Sequence, residues 1–207
     1  MGIRAHTIKL LEDARVHLGY EIWEGVTMCE LGAQDLRRGG GLECEPSKDY
    51  FEKKGVLHTS LDIKPRHRCL IVDLSVPVNS VHEHDIVSNY GTSEHIFNQY
   101  QVFRNIHNFT RVGGAMVHCL PATPYWKKHG FYTYSEEYFK NLSNENNYDI
   151  MTIKYMPSGR KKSEWEKKNL IAAILIKNDN DFISEQEFDL LEGRHRTKVK
   201  AGGQNTK

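Results

Sequence analysis

The sequence predicts an α/β fold: a doubly wound, mostly parallel sheet of seven strands with helices on both faces. Three observations predict it. Seven short β-branched or apolar runs recur between Val26 and Ile176, and several show little polar alternation, as suits strands covered on both faces. Helix-like segments lie between them, and alternation of the two implies parallel crossovers. The 207 residues, 39% hydrophobic and 27% charged, are enough for one well-buried domain.

Residues 1–25 come first, where Ile8, Leu11, Val16 and Leu18 in a charged segment predict an amphipathic helix that Gly19 ends. It is expected to pack across a sheet edge or cover a pocket. The main domain, residues 26–192, then carries the runs "VTMCEL", "VLHTSLDI", "CLIVDLSV", "DIVSNY", "GAMVHCLP", "YDIMTIKYM" and "NLIAAILI". Its helical segments are "SKDYFEKKG", "SEHIFNQYQVFRNIHNFTRVGG" and "SEEYFKNLSNENN". The second is the clearest: Ile96, Tyr100, Phe103 and Ile106 recur at helical spacing, and Gly113 and Gly114 stop it. The third starts at a cap-like Ser135. Between the last two strands, "PSGRKKSEWEKK" is too short for a crossover helix, so they form an antiparallel hairpin at the sheet edge. The segment 193–207 is basic and nearly free of apolar residues, which predicts disorder.

Charge and cysteine content exclude several classes. Lys and Arg total 28 against 27 for Asp and Glu, so the net charge of +1 supplies no global field for a polyanion such as nucleic acid. Cys29, Cys44, Cys69 and Cys119 form no CxxC pair, and three lie in apolar runs, which points to a reducing, cytoplasmic compartment. No apolar run approaches the ~20 residues that span a bilayer, and the first residues resemble neither a signal sequence nor a myristoylation signal, so no membrane role is expected.

In an open parallel sheet, ligands bind beyond the carboxyl ends of the strands. The first run ends in Glu30, Leu31, Gly32, Ala33, Gln34 and Asp35: Gly32 and Ala33 permit close backbone approach, and the acids and amide offer polar contacts, or the segment is a plain turn. Gly39, Gly40 and Gly41 come too late for a cofactor loop and read as a mobile connection. The second run ends in Asp62, placed as nucleotide-binding sheets place an acid that accepts from a ribose diol; the alternative is a surface aspartate. In "VDLS", Asp73 faces an adenine edge or caps a turn. The fourth run leads into the densest cluster, Asn89, Tyr90, Gly91, Thr92, Ser93, Glu94 and His95. There Ser93 reads as a helix cap and Glu94 as a first-turn acid, whereas His95 is the best general-base candidate.

With "CELGAQD", "TSLDI", "VDLS" and "HDIVSNYGTSEHIFNQ" in this order, the chain from Val26 to Asn178 resembles the class I S-adenosylmethionine-dependent methyltransferases. It is similar in particular to a small bacterial and environmental subgroup carrying "GTSEH" and an "HGFYTYS"-like segment. The resemblance implies a Rossmann-like sheet whose last strand is antiparallel, with S-adenosyl-L-methionine as cofactor. It assigns Glu30, Gly32, Ala33 and Gln34 to the methionine part, Asp62 and Ile63 to the ribose, and Asp73 with Leu74 to the adenine. Asn89, Tyr90 and Gly91 would border the methionine moiety and the transferred methyl. The family's first motif usually has three spaced glycines; here Gly32 stands alone.

Methyl transfer to a hydroxyl benefits from a base, and His95, His118 or His129 are the candidates. His118 sits in a strand and reads more readily as a core residue. His129 lies in an aromatic loop with Tyr125, Trp126, Phe131 and Tyr132, either an acceptor clamp or a packing cluster. Residues 1–25 and the loop Pro121 to Tyr134 are the expected pocket walls. The expected acceptor is a small polar molecule, a sugar or other metabolite, methylated on O or N by a monomer or homodimer.

Other chemistries fit less well. His82, Glu83, His84 and Asp85 read as solvated charge in a loop, and without an HExxH motif no metal is expected. A nicotinamide enzyme requires GxGxxG after the first strand and a serine hydrolase a GxSxG elbow; neither is present. The remaining alternative is a catalytically inactive binding or scaffold protein with a weak cofactor pocket.

Overall fold

A computed structural model describes residues 2–126, 128–159 and 169–197. Its strands are β1 (Thr27–Leu31), β2 (Leu57–Asp62), β3 (Leu70–Ile71), β4 (His84–Tyr90), β5 (Thr110–Pro121), β6 (Tyr132–Tyr134), β7 (Tyr148–Met156), β8 (Leu170–Lys177) and β9 (Arg194–Arg196). All but β6 and β9 form one seven-stranded sheet in the order β3-β2-β1-β4-β5-β8-β7. The first five are mutually parallel, and β8 runs antiparallel to both β5 and β7. The seven expected runs thus supply the sheet, although only Leu70 and Ile71 of the third pair as a strand.

Side-chain alternation sorts the core into two layers. Met28, Ile86, Tyr90, Val117 and Ile174 face α1 (Ala5–His17) and α2 (Ser47–Glu52), while Cys29, Val87, Met116, Leu120 and Leu175 face α3 (Gln99–Phe109), α4 (Glu136–Glu145) and α5 (Glu185–Asp189). The helix α1 presses Ile8, Leu10, Leu11 and Ala14 into the sheet across β4, β5 and β8, so it covers a face rather than an edge. Val16, counted in its apolar stripe, faces solvent.

The closing hairpin forms, but its last strand is not at the edge. Every residue of β8 is buried, whereas β7 leaves much of its length exposed. A run as apolar as "LIAAILI" needs cover on both faces and both edges, and the slot between β5 and β7 supplies it. Arg160–Lys168, within the segment joining the two strands, lie outside the described residues.

The structure revises four local expectations. The helix α3 is capped by Asn98, whose side chain accepts from Gln101 N at 3.0 Å, and it ends at Phe109 rather than at the glycines. Ser93 therefore caps no α-helix, and Ile96 precedes α3; Ser93–His95 form a single 3₁₀ turn. Gly113, at φ +74°, instead sits where the register of β4 on β5 shifts. Gly39, Gly40 and Gly41 all adopt positive φ in a hydrogen-bonded turn, Gly39 and Leu42 pairing at 3.0 and 3.2 Å, with Leu36 and Leu42 buried on either side. The late glycines build a defined turn. Arg194–Arg196, within the segment expected to be disordered, pair as β9 with β6; residues 198–207 lie outside the described part.

The segment His82 to Asp85 is not uniformly solvated. His84 and Asp85 are buried at the start of β4. Asp85 accepts from Thr27 N at 2.8 Å, Thr27 Oγ1 at 2.6 Å, Tyr20 Oη at 2.9 Å and Arg111 Nε at 2.7 Å. It ties the starts of β1, β4 and β5 together, at the end of the sheet opposite the carboxyl ends of those strands. Asp85→Ala strands the Thr27 amide and the Arg111 guanidinium; an unfolding free energy lower by about 2–4 kcal/mol in urea titrations is expected.

Candidate functional site

A cleft of about 620 Å³ opens beyond the carboxyl ends of β1, β2 and β4. Its volume lies in the range of small-molecule and cofactor sites. Gly32, Ala33, Gln34 and Asp35 form one wall, Asp62, Ile63 and Arg66 a second, Val72 to Ser75 a third, and Gly91, Thr92, His95, Ile96 and Phe97 the last.

The turn after β1 is held from below and from the side. Gly32 takes φ +71°, and its amide donates to Leu61 O at 2.7 Å. A Cβ on Gly32 would lie 2.5 Å from Thr92 Oγ1, so both backbone angle and space require glycine. Thr92 Oγ1 donates to Leu31 O at 2.7 Å and accepts from Gln34 Nε2 at 3.3 Å, joining this turn to the one after β4. Beneath it, Glu30 is buried and accepts from Gln34 N at 3.1 Å, Ser60 Oγ at 2.9 Å and the Ser47 hydroxyl. Burial pushes its carboxyl up to about 7, although the Ser47, Gln34 and Ser60 bonds and the Lys48 charge act in the other direction.

Asp62 reaches the cleft at the tip of β2. Its Oδ2 accepts from Ala33 N at 3.1 Å and its Oδ1 from Lys64 N at 3.0 Å. Each oxygen keeps a lone pair for a further donor. Asp73 takes the Ser75 amide at 2.8 Å, and hydrogen bonds from Ser75 hold its carboxyl below the usual range. Leu61, Ile63, Val72, Leu74 and Ile96 supply apolar surface between these acids. The loop after β2 is latched over the turn by Arg66 and His67, each 2.9 Å from Asp35.

Of the residues proposed from sequence, Gly32, Ala33, Gln34, Asp62, Ile63, Asp73, Leu74, Gly91 and His95 line this cleft. Glu30 lies under the turn and is spent on its three donors. Tyr90 is on the α1 face, its hydroxyl donating to Thr7 O at 2.8 Å. Asn89 is buried behind the wall, bonded to Ser93 Oγ at 2.9 Å and 3.3 Å from His118 Nδ1. His118 packs against Phe103 and Phe139, and burial pushes its imidazole down to about 3. His129 stands beside His95 at the rim, their ring centroids 4.9 Å apart. There the loop Pro121 to Tyr134 meets the cleft wall's histidine, and its Phe131 packs on Phe97; among the described residues neither that loop nor residues 1–25 supply cleft lining. Burial lowers the His95 imidazole, while the Glu94 charge opposes the shift.

Sequence reasoning passed over Arg66, named Thr92 in the cluster without a role, and read Glu94 as a first-turn acid. Glu94 is fully buried, with Oε1 3.7 Å from His95 Nε2 and 3.6 Å from His129 Nε2. Its neighbour His95 was the available signal; its position after Ser93 made a helix-start acid the simpler reading.

The strand order, the antiparallel β8 and a cleft at the tips of β1, β2 and β4 define a Rossmann-like fold of the class I methyltransferase type. One similar solved structure is the Burkholderia thailandensis 1,6-didemethyltoxoflavin-N1-methyltransferase with bound 1,6-didemethyltoxoflavin and S-adenosylhomocysteine. It has a TM-score of 0.60 at 14% identity, over 84% of this chain and 79% of that one. An S-adenosylmethionine-dependent methyltransferase from Mesorhizobium loti has a TM-score of 0.57 at 11% identity, over 81% and 100%. The [4+2]-cyclase SpnF has the same TM-score of 0.57 at 10% identity, over 82% and 80%, so the fold alone does not fix the chemistry. No protein-family model matches the sequence, and no curated protein does. Among the described residues no helix is long and apolar enough to cross a membrane.

A group whose folded pKa is raised adds stability in its protonated form, and that contribution disappears as pH rises through the folded value. For Glu30 the window runs from the ordinary carboxylate range to about 7. The melting temperature of the protein relative to Glu30→Gln should therefore fall between pH 5 and pH 8 and level off above, as thermal unfolding scans across that range will show.

Proposed function

We propose that the chain is an S-adenosyl-L-methionine-dependent methyltransferase acting on O or N of a small polar acceptor. The observation that carries this reading is Asp62 at the tip of β2, facing the cleft with lone pairs free beside the Gly32 turn. A carboxylate there suits a ribose diol, and the apolar strip from Val72 to Ile96 with Asp73 suits the base of a nucleoside. The donor set fits the cofactor, and similarity to methyltransferase folds, one holding S-adenosylhomocysteine, supports it.

Once bound, the cofactor brings a methyl group already activated by a sulfonium. The chain's task is to align the acceptor, exclude water and deal with its proton. Ala33 and Gly91 bring backbone close on two sides of the cleft, and the Gln34–Thr92 link fixes their separation. At the open rim, the cluster of Glu94, His95 and His129 is where the acceptor's proton is removed; His95 lines the cleft and the other two stand behind it. The near-neutral chain favours a small acceptor over nucleic acid.

Calorimetric titration with S-adenosylhomocysteine tests the reading. Micromolar affinity is expected, weakened about 10- to 100-fold by Asp62→Ala, since a hydrogen bond to a charged group contributes about 1.5–3 kcal/mol. Absence of both heat and a thermal shift would sink the assignment and leave the fold. Binding without methylation of any hydroxyl or amine metabolite would favour a binding protein on the same scaffold.

A further inference from the structure

Glu94 presents a problem that methyl-donor binding does not solve. Its side chain is fully buried, and neither carboxylate oxygen accepts a hydrogen bond among the described residues. Nε2 of His129 is likewise buried and without a partner. A buried carboxylate is costly unless paired or coordinated, and buried polar atoms almost always find partners. The separations of 3.6 and 3.7 Å from the two imidazoles are too long for hydrogen bonds and leave a gap between three convergent donor atoms.

We propose that Glu94, His95 and His129 bind a divalent transition-metal ion at the rim of the cleft, where the ion receives the acceptor's oxygen. Their ligand atoms all lie within 4.8 Å of one another. Bonds of about 2.0–2.2 Å to nitrogen and carboxylate oxygen bring ligand atoms to roughly 3–3.5 Å apart, so a shift of about an ångström, chiefly in the half-exposed His95, closes the set. Two imidazoles and one carboxylate are a recurrent donor set for such ions, and three protein ligands leave positions open for substrate.

The surrounding backbone holds the ligands in place. Glu94 and His95 sit on the 3₁₀ turn, which is fastened by Ser93 N to Asn89 Oδ1 at 3.2 Å and by Gln99 Nε2 to Ser93 O at 2.8 Å. His129 is delivered by Gly130, where a Cβ would lie 2.7 Å from Glu94 O, and by Phe131 N donating to that same carbonyl at 2.7 Å. The loop can reach the carboxylate only because residue 130 has no side chain. His129 is thus brought from far along the chain to the pair Glu94 and His95, with its ring packed between those of Trp126 and His95 at centroid separations of 4.8 and 4.9 Å.

The site specifies the substrate class, a point that rests on the methyl-transfer reading. An acceptor with a hydroxyl next to a second oxygen, such as a vicinal diol or a hydroxy acid, can occupy two open positions at once. Bound there, the hydroxyl releases its proton to water because the cation stabilises the oxyanion. The oxygen lone pair then forms the O–C bond to the methyl as the C–S bond breaks, its electrons returning to sulfur and leaving a neutral thioether. As ligands the two imidazoles stay unprotonated, and the cation takes over the role of a general base.

The test uses tag-free full-length protein stripped with a chelator. Zn²⁺ titration by calorimetry and Co²⁺ titration by visible absorption should each show one tight site, and Glu94→Gln and His129→Ala should each weaken it at least about 100-fold, more than loss of an outer-shell partner costs. Both variants should still bind S-adenosylhomocysteine, which shows that they fold. No metal uptake by the parent protein, or uptake unchanged in both variants, overturns the metal site without touching the cofactor assignment. Metal uptake that behaves as expected in a protein unable to bind S-adenosylhomocysteine keeps the site but overturns its role in methyl transfer.

Discussion

The cleft depends on a carboxylate that never reaches it. Glu30 lies below the turn after β1 and gathers donors from three elements: the turn itself through Gln34 N, β2 through Ser60, and the start of α2 through Ser47. Burying an acid is unfavourable, and three hydrogen bonds with the nearby Lys48 offset that cost only when all of these elements are in register. The result is a turn whose shape is fixed by what lies under it. A single glycine then suffices, because Gly32 has only to supply the positive φ and the space beside Thr92, while the remaining curvature is held by side chains.

From that support the geometry propagates sideways. Thr92 accepts from Gln34 and donates to Leu31, so the tips of β1 and β4 keep a set distance, and Asp62 joins through Ala33 N. The rim cluster hangs from the same segment, since His95 N donates to Thr92 O at 3.0 Å. The wall of the cleft and its rim are therefore parts of one hydrogen-bonded unit rather than two features that happen to adjoin.

Much of this was legible in the sequence. The seven runs, the cap at Ser135 and the acids at Asp62 and Asp73 follow from local patterns, because strand burial and strand-tip chemistry are written in consecutive residues. What escaped was non-local. Tyr90 and Asn89 were adjacent to the cleft in sequence but alternate to opposite faces of β4, one into the α1 layer and the other towards His118. Gly113 and Gly114 looked like a helix stop and serve a register shift, which depends on a partner strand. Asp85 looked solvated because its four donors come from Tyr20, Thr27 and Arg111, none of them near it in the chain. Glu94 and His129 meet only through the close approach at Gly130.

The position of β8 has a consequence for biosynthesis. Among the described residues, those that line the cleft fall between Gly32 and Phe97, whereas the outer edge of β5 pairs with residues 170–176 of β8. Translation thus delivers a complete ligand cradle well before the strand that seals the sheet exists. During that interval the edge of β5 that β8 will take stands unpaired, open to any passing strand, and β7, already made, lacks its native partner as well. The nascent chain is most exposed to mispairing at the moment when its site is already drawn.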